Sequence, residues 1–357
     1  MKKINFISNY KNDSIFSSSQ YGHYSSGYNL FRKKAVESGY AVVENEEISE
    51  NSIVIFRDLP NKKFVNSKPN GTFFILQIWE SPLDRPALFN EKNWVDFDLV
   101  LSCNSKIKNI KHREINYFID EVDFNNCFIP FDSRKLAVAI CSNRYNGILA
   151  PRKGKGLFSL PILQEIDREW NNDYFNLFFK RPKGLYSRRR VFLNKKFNLF
   201  DLYGRYWSKD DIQSWIRYFK FFINNNFCSK GEYNGNKLEL LGNYRYALAF
   251  ENYSNSTSYI SEKIFECLRA GCVPLYYGCE NIADYIPKDC FIYVSEDVSP
   301  SALKCIISSI SEEEWNNYIL NGKNFLSSQG YIDVFSANAF SDKLFKYVTE
   351  LDNYFSF

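Results

Sequence analysis

Short apolar runs alternate with amphipathic or polar segments along most of the chain. In the first part, four runs have the length of a buried strand and one segment has the spacing of a helix. The predicted strands are Ile4–Ser8, Ser52–Arg57, Thr72–Trp79 and Asp96–Ser102. The predicted helix, Tyr28–Ser38, stops at Gly39. This alternation is typical of an α/β domain, and we expect that domain to end near Pro130.

A second alternating block begins at Lys135, so two domains are expected, as the length of 357 residues also favours. Apart from the stretch Tyr244–Gly278, two strands, five helices and a basic loop are predicted in this block. They are the strands Leu199–Tyr203 and Phe291–Val294, the helices Phe158–Phe179, Asp210–Asn225, Pro300–Ile310, Glu312–Ser327 and Val334–Leu351, and the loop Gly147–Gly156. The loop lacks the spacing of a phosphate-binding loop, so we interpret it as surface.

The stretch from Tyr244 to Gly278 has the clearest pattern. It predicts a strand at Tyr246–Phe250, a polar loop, a helix stopped by Gly271, and a second strand at Val273–Tyr277. The helix is indicated by apolar residues at every fourth position from Ile260 to Leu268. The two strands should be parallel, and ligands bind such sheets where strands end and helices begin. A helix start that carries a lysine suits an anion such as a diphosphate. For this stretch taken alone, the alternative to a binding site is a crossover helix with only a structural role. The Glu-Lys pair at the start of that helix would then be solvated.

Two further segments carry candidate chemistry. Glu80 follows the strongest apolar run of the first block, so its carboxylate is expected at the carboxyl end of a strand. The alternative is a surface glutamate at a turn. Arg188, Arg189 and Arg190 lie on a predicted basic helix and cannot share one face, so at most two can reach a common ligand. A guanidinium suits a diphosphate, and a solvated basic face is the alternative.

Composition excludes some classes of protein. The 45 Lys and Arg residues against 41 Asp and Glu residues leave a net charge of +4, too small for a dedicated nucleic-acid binder. Nine cysteines without a C-x-x-C pair favour reduced thiols in a cytosolic protein. No signal-peptide core is evident, and no run reaches the roughly 20 apolar residues of a membrane span. We expect a cytoplasmic protein, with peripheral contact at the inner face of the membrane as an open alternative.

Four motifs occur in order between Tyr244 and Ile292. They are YRYALAFEN, YISEKI, LRAGCVPLYYG and YIPKDCFI. Their order and spacing resemble the donor-binding signature of the α1,3/α1,4-fucosyltransferases of glycosyltransferase family 10. Shorter upstream segments follow the order of that family as well, namely RDLP, WESP, SN at residues 142–143, DLYGR and SKGE. Residues 1–50 and the C-terminal helices match it weakly.

The resemblance implies an α/β fold of the GT-B type, with two Rossmann-like domains facing each other across a cleft. Residues 1–134 would form the acceptor domain and residues 135–335 the GDP-fucose domain. Residues 336–357 would form a C-terminal helix, and packing of this helix on the first domain is left open. By position in the motifs, Glu80 would be the general base. Asn252, Tyr259, Glu262 and Lys263 would contact the donor, Glu262 through the ribose and Lys263 through the diphosphate. Arg189 has the best register for a second diphosphate ligand, with Arg188 or Arg190 left open.

The implied reaction is inverting transfer of L-fucose from GDP-fucose to a glycan hydroxyl. The expected acceptor is the 3-OH, or else the 4-OH, of N-acetylglucosamine or glucose in a lipopolysaccharide or glycoconjugate. No metal site is expected, and a divalent cation would at most stimulate the reaction. Residues 144–184 stand where many members have only a few residues, which leaves the acceptor open. The alternatives are a GT-B enzyme for another nucleotide sugar and an inactive nucleotide- or carbohydrate-binding protein.

Overall fold

The computed structural model of the chain describes residues 2–8, 14–17, 25–60, 68–82, 85–119, 129–142, 184–205, 207, 227–254 and 257–354. The chain forms two compact units. The first contains residues 1–122, 257–260 and 327–357, and the second contains residues 123–256 and 261–326. The sequence predicts that domains end after residues 134 and 335, and these limits stay a prediction. The predicted helices at 158–179 and 210–225 and the loop at 147–156 lie outside the described residues.

Eleven strands and eight α-helices are present in the described part of the chain. In chain order they are β1 (Lys3–Ile7), α1 (Ser26–Glu37), β2 (Ala41–Glu44), β3 (Ser52–Phe56), β4 (Phe73–Ile78), β5 (Leu99–Ser102), β6 (His112–Glu114), β7 (Lys135–Ile140), α2 (Tyr186–Leu193), β8 (Asp201–Tyr203), α3 (Lys237–Gly242), β9 (Tyr244–Phe250), α4 (Glu262–Arg269), β10 (Val273–Tyr277), β11 (Ile292–Tyr293), α5 (Pro300–Ser309), α6 (Glu312–Leu326), α7 (Gln329–Phe335) and α8 (Ala337–Tyr354).

The first unit contains a six-stranded sheet in the order β2-β1-β3-β4-β5-β6, with every neighbouring pair parallel. Successive residues of a strand point to opposite faces of the sheet. Ile53 and Ile55 of β3 therefore join one hydrophobic core, and Val54 and Phe56 join the other. Burial on both faces is typical of parallel sheets, and it explains why these strands are continuous apolar runs without polar alternation.

Helices from both ends of the chain cover one face of this sheet. Tyr28, Phe31 and Ala35 of α1 are buried there, together with residues of α8, including Phe340 and Leu344. The rings of Tyr28 and Phe340 meet edge to face with their centroids 5.1 Å apart. The C-terminal helix therefore belongs to the core of the first unit.

The second unit contains a five-stranded parallel sheet in the order β11-β10-β9-β7-β8. β9 and β10 pair in parallel from Tyr246 opposite Val273 to Phe250 opposite Tyr277, with α4 between them in the chain. Gly271, at φ 62°, lets the chain turn back from α4 into β10. The strand–helix–strand unit predicted for this stretch is confirmed.

Both units are thus parallel sheets with associated helices. The predicted α/β class with two Rossmann-like domains is confirmed, and this is the domain content of the GT-B type. The two sheets have the same strand order. In each, the first strand of the chain lies inside the sheet, the second forms one edge, and the later strands follow in sequence towards the other edge. Such sheets bind ligands at the carboxyl ends of the two strands where this reversal occurs. In the second unit those strands are β7 and β9.

Candidate functional site

A pocket lies at this reversal point of the second unit. It is small, with a cavity volume of about 30 Å³, it is partly open to solvent, and its lining includes residues from the end of β7 and the end of β9. Its lining combines apolar side chains with three cations and one carboxylate. The lining residues are Ile140, Cys141, Arg189, Lys237, Leu241, Ala247, Leu248, Phe250, Lys263, Glu266 and Cys267. This is where the topology of a parallel sheet predicts a ligand, and its charge suits an anion.

Arg189 is held at the end of β9. Its side chain is buried, and its Nη2 donates to the carbonyl oxygen of Phe250, to that of Glu251 at 2.6 Å and to Oδ1 of Asn252 at 3.1 Å. Its guanidinium lies 5.0 Å from the ring centre of Tyr186. All three of these hydrogen bonds use Nη2, so they fix the guanidinium of Arg189 in the lining of the pocket.

Arg188 has a different environment. Its Nη2 donates to the carbonyl oxygens of Ser295 at 2.6 Å and Val298 at 3.0 Å. Consecutive residues of a helix point about 100° apart, so α2 directs neighbouring arginines to different surroundings. Arg189 is therefore the arginine of this helix that lines the pocket beside Lys263.

Glu251 organises the start of α4. The residue is fully buried, and its carboxylate accepts hydrogen bonds from Ser261 N at 2.8 Å, Ser261 Oγ at 2.6 Å and Lys263 Nζ at 3.3 Å. Lys263 also donates to Ser261 Oγ at 2.8 Å and lies 3.5 Å from a carboxylate oxygen of Glu262. Ser261 is the N-cap residue of α4, so the buried carboxylate fixes both the helix start and its lysine.

The same arrangement keeps Lys263 charged. Burial alone would lower the pKa of this lysine, but the carboxylates of Glu262 and Glu251 raise it above its ordinary value. The cation is consequently present at every pH at which the protein is expected to work. A permanent positive charge beside Arg189 is what a diphosphate site requires.

Gly278, at the end of the LRAGCVPLYYG motif, permits the close approach of Glu251. A Cβ atom at this position would lie 2.4 Å from Cγ and 2.6 Å from Cβ of Glu251. Any side chain would displace the buried carboxylate, so the glycine is required by packing.

A second ion pair in the pocket was not predicted from the sequence. Lys237, at the start of α3, pairs with Glu266 in the second turn of α4. Burial lowers the pKa of Lys237, but Glu266 and Glu262 outweigh that effect and the pKa is raised. The two residues are 29 positions apart, and no motif links them, so only the fold reveals the pair.

The pocket thiols do not provide nucleophiles. Burial raises the pKa of Cys141, and it raises the pKa of Cys267 to about 12. Thiols in this range are protonated near neutral pH, whereas the thiolate is the nucleophilic form.

Four of the six residues predicted for the site lie together in the second unit. Asn252 bonds to Arg189, and Glu262 lies beside Lys263. Tyr259 is instead part of the first unit, where its ring centre lies 5.7 Å from that of Tyr117.

Glu80 also lies in the first unit, after the end of β4, and it is exposed. The preceding residue, Trp79, donates from Nε1 to the Tyr28 hydroxyl at 2.8 Å. An exposed carboxylate at the carboxyl end of a parallel strand can accept a proton from a substrate bound there.

Within the residues that the structure describes, no group of three or more His, Cys, Asp and Glu side chains could hold a metal ion. None of the helices there combines the length and the apolar character needed to cross a membrane.

The second unit is a parallel α/β domain of the Rossmann-like class, with a cationic pocket at its reversal point. Residues 201–319 match the family model described as glycosyltransferase family 10 (fucosyltransferase) C-term. The resemblance predicted from the motifs is therefore confirmed, and the matched segment contains Glu251, Glu262 and Lys263 together with the strands β8 to β11.

Individual proteins match over a shorter segment. A fucosyltransferase-like protein of Arabidopsis thaliana is 44% identical over 69 residues, which is 18% of this chain and 13% of that protein. A GDP-fucose protein O-fucosyltransferase 3 of Bos taurus is 38% identical over 76 residues, 21% of this chain and 16% of that protein. The chain thus matches less than a fifth of the length of either relative.

A crystal structure of an alpha1,3-fucosyltransferase with GDP-fucose aligns with 98% of this chain and 90% of its own, at 14% identity and a TM-score of 0.45.

Proposed function

We propose that the chain transfers L-fucose from GDP-fucose to a hydroxyl of a glycan. The observation that carries the proposal is the match of residues 201–319 to the fucosyltransferase family, combined with the cationic pocket built partly from that segment. Arg189 reaches the same pocket from outside the matched segment. A segment match alone would not suggest a binding site, and a cationic pocket alone would not suggest the sugar.

The proposed donor site uses the residues around this pocket. Arg189 and Lys263 would bind the diphosphate and stabilise the charge that develops on it as the glycosidic bond breaks. Glu262 would accept from the ribose hydroxyls, and Asn252 and Tyr259 would complete the donor contacts. Preorganisation supports this assignment, since Arg189 is tied to main-chain carbonyl groups and Lys263 to the buried Glu251.

The proposed reaction is a single displacement with inversion. The acceptor hydroxyl oxygen forms a bond to the anomeric carbon of fucose while the bond from that carbon to the β-phosphate oxygen breaks. The electron pair of the broken bond leaves with GDP, and the carboxylate of Glu80 accepts the hydroxyl proton. The proposal requires that Glu80 of the first unit and the donor residues of the second act on the same substrate molecules. The proposed acceptor is the 3-OH, or else the 4-OH, of N-acetylglucosamine or glucose in a lipopolysaccharide or glycoconjugate.

We further propose that the reaction takes place in the cytoplasm or at the inner face of the membrane. Arg189 and Lys263 supply the charge that a metal ion would otherwise provide to the diphosphate, so a divalent cation would act at most as a stimulant. Rate measurements with magnesium, manganese and a chelator would test this point. Loss of activity in the chelator, restored by one metal, would contradict it.

The first experiment compares nucleotides by calorimetric titration. The protein is expected to bind GDP more tightly than UDP, ADP or CMP, and to transfer fucose from GDP-fucose on a glycan array. Preference for UDP would favour an enzyme for another nucleotide sugar. Tight GDP binding without transfer or hydrolysis would favour a binding protein.

The second experiment tests the base. Glu80→Gln is expected to bind GDP as the wild type does and to lose transfer activity, because the amide cannot accept the hydroxyl proton. Glu50→Gln, which alters another exposed carboxylate of the first unit, serves as the control. Turnover by Glu80→Gln near the wild-type rate would contradict the assignment.

A further inference from the structure

Trp79, which directly precedes Glu80, is held at both its side chain and its main chain. Its Nε1 donates to the Tyr28 hydroxyl at 2.8 Å, and that hydroxyl donates to Oε1 of the buried Gln77 at 2.9 Å. The carbonyl oxygen of Trp79 accepts a hydrogen bond from the Tyr117 hydroxyl. This carbonyl belongs to the peptide bond whose nitrogen is that of Glu80, so the Tyr117 hydroxyl holds the backbone from which the Glu80 side chain departs.

The ring of Tyr117 is itself packed on two sides. Its centre lies 4.8 Å from that of Trp79 and 5.7 Å from that of Tyr259, the second contact being edge to face. Rings in these arrangements attract each other beyond simple burial. Tyr117 is therefore positioned between the residue before Glu80 and the short segment Thr257–Ile260.

The main chain of Tyr117 is fixed by its two sequence neighbours. Phe118 is buried and stacks on Phe340 of α8 with centroids 4.4 Å apart. Asn116 is buried and accepts a hydrogen bond from Lys343 of α8 at 3.3 Å. The C-terminal helix thus supports the loop that carries Tyr117.

On the assumption that the proposed function holds, we propose that Tyr117 is a positioning residue for Glu80. The Tyr117 hydroxyl holds the carbonyl group of the peptide that joins Trp79 to Glu80, and the direction in which the Glu80 side chain leaves the main chain depends on that peptide. General bases must be held close to the productive geometry, and a displacement of about 1 Å can cost roughly a hundredfold in rate. Tyr117 acts through the peptide of Trp79 and Glu80 and takes no part in the proton transfer.

The test compares two variants that each remove one hydroxyl group. Tyr117→Phe loses the bond to the Trp79 carbonyl and keeps the ring. Tyr347→Phe is the matched control, because the Tyr347 hydroxyl donates to the Glu114 carbonyl oxygen at 2.9 Å in the same unit and is also partly buried. Both variants lose one tyrosine–carbonyl hydrogen bond, so their general effects on stability should be similar.

Two readouts are measured on the full-length protein. Amide hydrogen exchange of the Trp79–Ser81 segment should become about two- to tenfold faster in Tyr117→Phe, the factor that one lost hydrogen bond supplies. It should not change in Tyr347→Phe. With GDP-fucose and an acceptor, kcat of Tyr117→Phe should fall at least about tenfold, while GDP affinity and the donor KM stay within about twofold.

The outcomes separate this inference from the proposed function. If the wild type transfers no fucose, the proposed function fails, and the exchange comparison still decides whether Tyr117 orders the Glu80 peptide. Equal exchange at residues 79–81 in both variants would overturn the inference. So would equal losses of kcat in Tyr117→Phe and Tyr347→Phe, since those would indicate a general loss of stability.

Discussion

Replacement of Glu251 by glutamine tests the internal structure of the pocket. The buried carboxylate accepts three hydrogen bonds, two from Ser261 and one from Lys263. Glutamine has nearly the same shape, but it has one acceptor oxygen, and its NH₂ group would face a donor. Glu251→Gln therefore removes at least one bond and leaves the charge of Lys263 without its buried partner.

The size of the effect follows from the burial of the two groups. Breaking a buried ion pair by removing one charge costs about 3–5 kcal/mol, and one hydrogen bond to a charged group contributes about 1.5–3 kcal/mol. Lys263 retains 23% of its side-chain exposure and keeps Glu262 nearby, so part of its charge can be solvated again. We therefore expect the variant to lose about 2–4 kcal/mol of unfolding free energy.

Urea unfolding of the wild type and the variant measures this loss directly. Glu232→Gln is the control, because the ion pair of Glu232 with Arg205 lies in the same unit and its carboxylate side chain is 41% exposed. An exposed pair contributes less than about 1 kcal/mol, so the control should unfold almost as the wild type does. Equal stability of the two variants would show that the buried carboxylate does not organise the start of α4.

Three further variants address separate parts of the structure. Lys263→Ala should weaken GDP binding at least about tenfold, because one charge-assisted contact to the diphosphate is lost, and unchanged calorimetric affinity would contradict that role. Gly278→Ala should lose at least about 1–3 kcal/mol of unfolding free energy, since its Cβ would overlap Glu251, and a fully stable variant would show that Glu251 can move. His112 is buried against Ser102, and burial lowers its pKa from 6.5 to about 4, so only the unfolded chain takes up its proton between those values. Stability should therefore fall by up to about 3 kcal/mol as the pH falls through this window, a slope that should be weaker in His112→Gln by urea unfolding.

Much of the second unit could be predicted because its pattern is local. The strand Val273–Tyr277 has the predicted bounds, and β9 extends only two residues beyond the prediction, because both are buried apolar runs with a glycine-terminated helix between them. The helix α4 begins at Glu262, although the apolar spacing included Ile260. Ile260 is buried as part of the first unit, so its apolar character reflects packing outside the helix.

The rest depends on contacts between residues far apart in the chain. Glu251 is part of the YRYALAFEN motif, but its complete burial became evident only with the fold. Lys237 and Glu266 come together because α3 and α4 pack side by side. The helix α3 has only six residues, too few for a helical period to be recognised. Its N-cap residue, Asn236, was the one local signal.

The small segment Thr257–Ile260 has a practical consequence for protein engineering. The chain crosses between the two units near residues 122, 256, 260 and 326. A fragment cut at the first and last of these crossings would carry Tyr259 and Ile260 away from their own unit, and it would also remove the ring that packs on Tyr117. Chimeras that exchange the second unit between relatives must therefore keep residues 257–260 matched to the recipient's first unit, because two junctions alone would transplant four residues that belong to the first unit.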